Sequence, residues 1–203
     1  MPNPFISICI LSYNRPETLA RLLRTIDIHR IDEIEVVICE DCSPRRSEIR
    51  DVVEKFRVSK SYPVLYFENE KNLGFDGTLC ELVRRANGDW LIFMGDDDEF
   101  VPGALDKIVE FLKHHSELGY VMKAHYTIYN NGRKALFRYY SGTTFFSPGI
   151  NAYIALFRKS VFIAGFTIRR KYILPYLTDR FNKTMLMQIY LLAEVVLKHP
   201  SAY

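Results

Sequence analysis

Four short apolar runs, alternating with amphipathic segments, constrain the fold more than any other feature of this sequence. The runs cover residues 5–11, 34–39, 64–67 and 90–94. Between the first two, Leu19, Leu22, Leu23 and Ile26 recur at helical spacing, and Pro16 stands at a helix-opening position. Strands that alternate with helices in this way predict a mainly parallel sheet flanked by helices, as in Rossmann-like α/β proteins.

The pattern changes after about residue 119. Residues 120–128 and 134–140 are predicted strands, and Asn130-Asn131-Gly132 between them is typical of a hairpin turn. Residues 169–177 and 183–198 are predicted helices. Aromatic residues are dense in this part of the sequence, so we expect a smaller, mixed region beside the parallel sheet.

Composition bounds the class of protein. The 203 residues are 48% hydrophobic, enough for a substantial core without disulfides. The net charge of +3 gives no argument for nucleic acid binding. The first residues lack a signal-peptide layout, and no apolar run reaches the ~20 residues of a membrane span. We therefore expect a cytoplasmic protein.

The four cysteines are expected to be reduced. Cys9 and Cys39 fall inside predicted strands, where cysteine acts as a small buried hydrophobe. Cys39 and Cys42 have the spacing of a redox pair or half a zinc site, but no second pair completes a zinc site.

An acidic run follows the fourth predicted strand directly. Asp96, Asp97 and Asp98 come after the apolar residues 90–95, and Glu99 adds a fourth carboxylate. So many like charges are costly unless water or a cation compensates them. In open α/β sheets, ligands bind at the carboxyl ends of the strands. The run therefore predicts a divalent metal, which prefers carboxylate oxygens, together with an anionic ligand.

Polar residues also end the other predicted strands. They are Tyr13 and Asn14, Asp41, and Asn72 with Gly74. Because parallel strands end at one edge of a sheet, these residues and the aspartates can build a single pocket.

These segments resemble the nucleotide-sugar-dependent glycosyltransferases of family 2, which have the GT-A fold. The matching segments, in order, are residues 6–16, 35–43, 72–74, 86–98 and 102–105. The resemblance implies a nucleotide-sugar-binding half over residues 1–118. Residues 119–203 would be the acceptor-side half of the same domain, and the abrupt end at Tyr203 suggests truncation at the C-terminus.

The resemblance also implies individual roles on the donor side. Leu11, Tyr13, Asp41, Asn72, Gly74, Asp96 and Asp97 would bind the nucleoside-diphosphate sugar. Asp97 and Asp98 would hold Mn²⁺ or Mg²⁺ against the diphosphate. The sequence departs from the family at Gly95, where relatives often carry the first aspartate of Asp-Ser-Asp-Asp.

On the acceptor side, a carboxylate must take the proton of the attacking hydroxyl. Asp179, at a predicted helix-to-loop junction, is the leading candidate; Glu194 and His125 are alternatives. The resemblance implies one displacement with inversion at the anomeric carbon. The acceptor would be a saccharide or a lipid-linked saccharide in bacterial cell-surface polysaccharide or lipopolysaccharide synthesis. Such work fits the cytoplasmic face of the membrane, with peripheral membrane contact.

Other interpretations remain open from the sequence alone. The aspartates could form a solvated turn before the helix that begins near Pro102. A nucleotidyltransferase has a similar sheet, although it usually carries a glycine-rich loop after the first strand, and residues 12–16 contain no glycine. A sugar-nucleotide-binding domain without catalysis is the third possibility.

Overall fold

The computed structural model describes residues 3–29 and 33–203 of the chain. The strands are β1 Ile6–Ser12, β2 Ile34–Glu40, β3 Val64–Glu68, β4 Trp90–Gly95, β5 Tyr120–Met122, β6 His125–Ile128, β7 Lys134–Phe137, β8 Phe145–Phe146, β9 Phe166–Arg169 and β10 Ser201–Ala202. The α-helices are α1 Pro16–Arg24, α2 Arg46–Arg57, α3 Gly74–Arg85, α4 Ala104–His114, α5 Ile150–Leu156, α6 Arg170–Ile173 and α7 Met187–Val196. Short 3₁₀ turns cover Phe157–Lys159, Ile163–Gly165 and Leu174–Tyr176.

One eight-stranded sheet carries the fold, in the order β3-β2-β1-β4-β9-β5-β10-β8. The four strands predicted from the first half of the sequence pair in parallel, with β1 between β2 and β4. β9 then pairs antiparallel with both β4 and β5. The predicted α/β class, a mainly parallel sheet flanked by helices with a smaller mixed region, is confirmed.

The central strand β1 is buried on both faces because helices cover both sides of the sheet. Ile6, Ile8 and Ile10 pack in one apolar cluster, which includes residues of α1, α2 and α4. Cys9 points the other way, into a cluster formed with α3 and α7. The alternation follows from the two-residue period of a strand, and it explains the near-continuous apolar sequence of β1.

A buried polar cluster joins the loop before β4 to β1 and β2. Glu35 accepts hydrogen bonds from the Ser7 hydroxyl and the Asn87 backbone N–H, both at 2.6 Å. The Gly88 N–H donates to Ser7 Oγ at 2.8 Å. A Cβ at Gly88 would lie 2.5 Å from the Ser7 backbone nitrogen, so only glycine allows this approach.

The single strand predicted over residues 120–128 is wrong. β5 belongs to the large sheet, whereas β6 pairs with β7 in a separate two-stranded sheet. The chain leaves the large sheet at Lys123, whose half-buried side chain donates to Phe166 O at 2.8 Å and to Thr167 Oγ1 at 2.9 Å. These bonds join Lys123 to β9 at the point where β5 ends.

The predicted hairpin is confirmed, although its second strand ends at Phe137 rather than at residue 140. Tyr129 N–H donates to Arg133 O at 2.9 Å across the turn, and Gly132 has a φ of +77°. Glycine adopts that conformation without steric cost.

The two predicted C-terminal helices are shorter than expected. Arg169 ends strand β9, so the helical part of residues 169–177 begins at Arg170. Within residues 183–198 the helix α7 begins only at Met187, because Lys183 and Met185 have positive φ values. Among the described residues, no helix is long and apolar enough to cross a membrane.

Candidate functional site

Three parallel strands end side by side at one edge of the sheet. Leu11 of β1 is paired with Gly95 of β4, and Ser12 is paired with Glu40 of β2. The chain therefore leaves the sheet at neighbouring points toward the loops that carry Tyr13, Asp41 and the aspartate run. The loops lie at the carboxyl edge, where α/β sheets bind ligands.

Asp96 is fully buried and connects two of these loops. Its carboxylate accepts a hydrogen bond from the Tyr13 backbone N–H at 2.9 Å, and the Arg15 guanidinium lies 2.7 Å away. Burial raises the pKa of Asp96 to about 6, although the Tyr13 N–H and Arg15 act in the opposite direction. Arg15 also bonds to Asp97 at 2.6 Å, so one exposed arginine compensates two carboxylates.

Asp97 and Asp98 direct carboxylate oxygens toward the same point above Gly95. A Cβ built at Gly95 would lie 3.0 Å from Asp97 Oδ1 and 3.1 Å from Asp98 Oδ2. Asp98 Oδ2 also accepts the Gly95 N–H at 3.1 Å. Burial raises the pKa of Asp98 to about 6, although the Gly95 N–H and Arg15 act in the opposite direction. The missing side chain at position 95 therefore leaves room between two carboxylates.

The Asp97 and Asp98 oxygens fit a divalent cation that shares its coordination with a substrate. Within residues 3–29 and 33–203, no group of three or more His, Cys, Asp or Glu side chains forms a ready metal cage. Magnesium beside phosphates, however, is typically held by one or two carboxylates, with water and phosphate oxygens as the other ligands. Two converging carboxylate oxygens meet that requirement.

Asp41 has structural bonds that the sequence did not reveal. Its Oδ1 accepts from Asn69 Nδ2 at 2.9 Å and from the Leu73 N–H at 2.7 Å. Its Oδ2 accepts from the Gly74 N–H at 2.8 Å. Asn72 bonds to the same Gly74 N–H at 3.0 Å. Asp41, Asn72 and Gly74 are thus brought together, and the carboxylate fixes the start of α3.

Asp76, in the first turn of α3, is a buried residue that we did not predict. Its carboxylate accepts backbone N–H groups of Thr184, Met185 and Met187 at 2.9 to 3.0 Å. Asp76 therefore caps α7 and holds the preceding turn against the first turn of α3. No local sequence signal marks it, because its partners lie more than 100 residues away along the chain.

The three base candidates lie in different environments. Asp179 is exposed, and its carbonyl accepts the Asn182 N–H in the turn before α7. Among the described residues, no hydrogen bond or ion pair joins Asp179 to the aspartate run. Glu194 forms an ion pair with Lys198. His125 stacks on Phe137, and burial lowers its pKa.

Comparison with known proteins identifies the family. The sequence profile described as Glycosyl transferase family 2 matches residues 7–176. The chain belongs to this family. The match includes every strand end that forms the carboxyl edge described above.

Three bacterial relatives illustrate the similarity. An uncharacterized glycosyltransferase of Haemophilus influenzae is 33% identical over 57% of this chain and 37% of its own length. The abequosyltransferase RfbV of Salmonella typhimurium is 28% identical over 56% of this chain and 34% of its own. The GalNAc(5)-diNAcBac-PP-undecaprenol beta-1,3-glucosyltransferase of Campylobacter jejuni is 24% identical over 53% and 34%. The chain matches only about a third of each relative's length.

Two solved structures share the fold. Staphylococcus aureus TarS 1–349 in complex with UDP superposes with a TM-score of 0.74 at 17% identity, covering 97% of this chain and 59% of that one. The mannosyltransferase PcManGT from Pyrobaculum calidifontis, in complex with GDP-Man and Mn²⁺, gives 0.53 at 18% identity, covering 61% and 36%. At these identities the comparisons establish the GT-A-like fold alone.

Proposed function

We propose that this chain transfers a sugar from a nucleoside-diphosphate donor to a hydroxyl acceptor, with a divalent cation at Asp97 and Asp98. The observation that carries the proposal is the convergence of Asp97 Oδ1 and Asp98 Oδ2 above Gly95, at the ligand-binding edge of the sheet. Membership of glycosyl transferase family 2 supports the class of reaction.

The donor's base would lie near Asp41 and its ribose near Tyr13 and Leu11. Asp41 Oδ2 accepts one backbone N–H, from Gly74, and a carboxylate oxygen can accept two hydrogen bonds. It can therefore also receive the ring N–H of a base. Gly74 opens α3, whose positive N-terminal end favours an anion nearby, and Asn72 borders the same space.

The diphosphate would lie against the aspartate run. A bound Mn²⁺ or Mg²⁺ supplies positive charge that stabilises the departing diphosphate. Asp97 and Asp98 would hold the cation, while Asp96 fixes the loop through the Tyr13 N–H. Arg15 bridges Asp96 and Asp97, so it adds a second positive charge beside the leaving group.

The acceptor would approach from the side of residues 119–203. We propose Asp179 as the base that takes the hydroxyl proton in a single, inverting displacement. The turn that carries Asp179 leads into residues 184–187, which Asp76 fastens to the first turn of α3. A saccharide or lipid-linked saccharide at the cytoplasmic membrane face suits cell-surface polysaccharide synthesis. The Campylobacter jejuni relative, named for a PP-undecaprenol substrate, supports that choice.

The test is calorimetric titration with UDP, GDP, dTDP and CDP, each with and without Mn²⁺. We expect one diphosphate to bind tightly only with Mn²⁺, and Asp97→Asn or Asp98→Asn to weaken that binding at least tenfold. Glu99→Gln is the matched control, since Glu99 is the next acid but pairs at the surface with Arg21. Metal-independent binding, or equal affinity in all variants, would overturn the assignment.

Donor turnover separates an enzyme from a domain that only binds the donor. We expect Asp179→Asn to retain donor affinity but to lose sugar transfer by at least a hundredfold, as is typical for removal of a general base. Equal transfer by this variant would exclude Asp179, and Glu194→Gln would be tested next. Binding without release of the diphosphate, with any acceptor, would favour the non-catalytic alternative.

A further inference from the structure

Acidic residues are missing from a long segment of the second half. Residues 118–178 contain no Asp or Glu but nine Lys and Arg residues, in a chain with 27 basic and 24 acidic residues overall. Arg169 of this set pairs with Asp89. The ion pairs among the described residues include none of the other eight. We call this segment the basic segment. Lys123 donates to Phe166 O and Thr167 Oγ1 within the fold, so the positive charge that reaches solvent comes from the exposed residues of the set, Arg133, Lys134, Arg138, Arg158 and Lys171.

One face of the β6–β7 hairpin is apolar and open to solvent. Tyr126 pairs directly with Leu136, and Ile128 pairs with Lys134, so these four side chains share a face. Tyr126 is 52% exposed, Ile128 60% and Leu136 51%. Two-stranded sheets are marginal on their own in water, and such a face is normally covered.

The opposite face of the hairpin is packed against the body of the protein. His125 stacks on Phe137, with ring centroids 5.3 Å apart, and contacts Phe162 at 4.5 Å. The exposed face is therefore held outward by contacts on the reverse side.

A second apolar stripe lies on α5 and the turn that follows it. Ile150, Ile154, Phe157 and Val161 are exposed and recur at helical spacing, with the exposed Arg158 beside them.

Aromatic and cationic contacts join α5 to the strand that leaves the hairpin. The Tyr140 hydroxyl lies 3.5 Å from Ala155 O, and the Lys159 ammonium lies 5.7 Å from the Tyr139 ring and 5.4 Å from the Tyr140 ring. The hairpin and α5 thus belong to one connected part of the basic segment.

We propose that the exposed face of the β6–β7 hairpin, flanked by the cations of the basic segment, docks on an anionic lipid bilayer. The exposed cations on and beside the hairpin, Arg133, Lys134 and Arg138, decide the occupant, because they lie in a segment without acids and are complementary to a negatively charged lipid surface. Tyrosine and aliphatic side chains beside basic residues suit the boundary between headgroups and acyl chains. Docking of this kind does not depend on sugar transfer.

The experiment is co-sedimentation of the full chain with vesicles of phosphatidylglycerol and phosphatidylcholine in equal parts, compared with phosphatidylcholine alone. We expect binding to the anionic vesicles that weakens with added salt. The triple change Tyr126→Ser, Ile128→Ser and Leu136→Ser should abolish it. The matched control is Val58→Ser with Val101→Ser, since both valines are exposed but lie outside the basic segment.

A charge variant provides a second test that leaves the apolar face intact. Arg133→Gln, Lys134→Gln and Arg138→Gln together should weaken binding by about five-fold for each cation removed. The control is Arg24→Gln with Lys71→Gln, which should leave binding to the vesicles unchanged. Both side chains are exposed and lie outside the basic segment.

Two results would overturn the proposal. One is absence of sedimentation with anionic vesicles, or equal sedimentation of the wild type and both hairpin variants. The other is self-association of the free protein that the triple serine change removes, measured by light scattering, because a second copy would then be the occupant. Neither result bears on donor binding, which is tested separately.

Discussion

Asp76→Asn tests the attachment of the turn before α7 to the first turn of α3. The Asp76 carboxylate is buried and accepts three backbone N–H groups, from Thr184, Met185 and Met187. An amide of the same shape has one oxygen, so its NH₂ group must face at least one N–H that then has no acceptor. Loss of a buried hydrogen bond to a charged group costs about 1.5–3 kcal/mol. We therefore expect a loss of about 2–3 kcal/mol in the free energy of unfolding.

Urea unfolding and amide hydrogen exchange measure this effect. In a chain of this size, 2–3 kcal/mol lowers the melting temperature by roughly 4–12 °C. The amide exchange rates of Thr184, Met185 and Met187 should increase more than those of the rest of the protein. Asp51→Asn, on the exposed side of α2, is the control and should stay within ±0.5 kcal/mol of wild type. If Asp76→Asn were as stable as this control, the capping role would be refuted.

Three further predictions concern the aspartate run. Gly95→Ala should lower Mn²⁺ affinity by about 10-fold or more in calorimetry with the preferred diphosphate, because its Cβ fills the space between Asp97 and Asp98. Unchanged affinity would contradict that geometry. Burial raises the pKa of Asp98 from 3.8 to about 6, so its folded form holds the proton more tightly than the unfolded chain. The contribution of Asp98 to stability is then present below pH 4 and lost as the pH rises through 6. In metal-free urea titrations Asp98→Asn should show a smaller pH dependence than the wild type, with the part due to Asp96 remaining. Arg15→Gln should raise the pKa of Asp96 further, measured by carboxyl NMR, because Arg15 is its cationic partner. A lower pKa would argue against that role.

The parallel half of the fold could be predicted because its signals are local. The apolar residues of β1 and the leucine spacing of α1 each report burial through a period that the sequence displays directly. The mixed half could not be predicted to the same extent. β9 and β10 are only four and two residues long, and they form through pairing with distant strands. Lys123 ends β5 through a buried contact with β9, which no pattern near position 123 announces.

In the candidate site, too, some residues could be predicted from local sequence and others depend on distant contacts. Tyr13, Asp41 and Asp96 could be placed at one edge because strand ends are recognisable, and parallel pairing brings them together. Arg15 was within reach of the same argument, since it follows β1 by three residues, yet its pairing with Asp96 and Asp97 depends on which strand neighbours β1. The position of Asp76 could not be predicted in this way. An acidic residue in a predicted helix is normally assigned to the surface, and its buried position is recognised only when its bonding partners are known.

The charges of the aspartate run favour the binding of a cation at this site. Burial disfavours the ionised forms of Asp96 and Asp98, and the half-exposed Arg15 forms its direct ion pairs with Asp96 and Asp97. Asp98 accepts the Gly95 N–H but forms no ion pair among the described residues, so its ionised carboxylate adds negative charge beside the space at Gly95. A cation in that space would lower the electrostatic cost of the ionised carboxylates. Its positive charge would then favour the binding of an anion beside it. Ordered binding, with the cation and the diphosphate each strengthening the other, is the behaviour that this arrangement of charges favours.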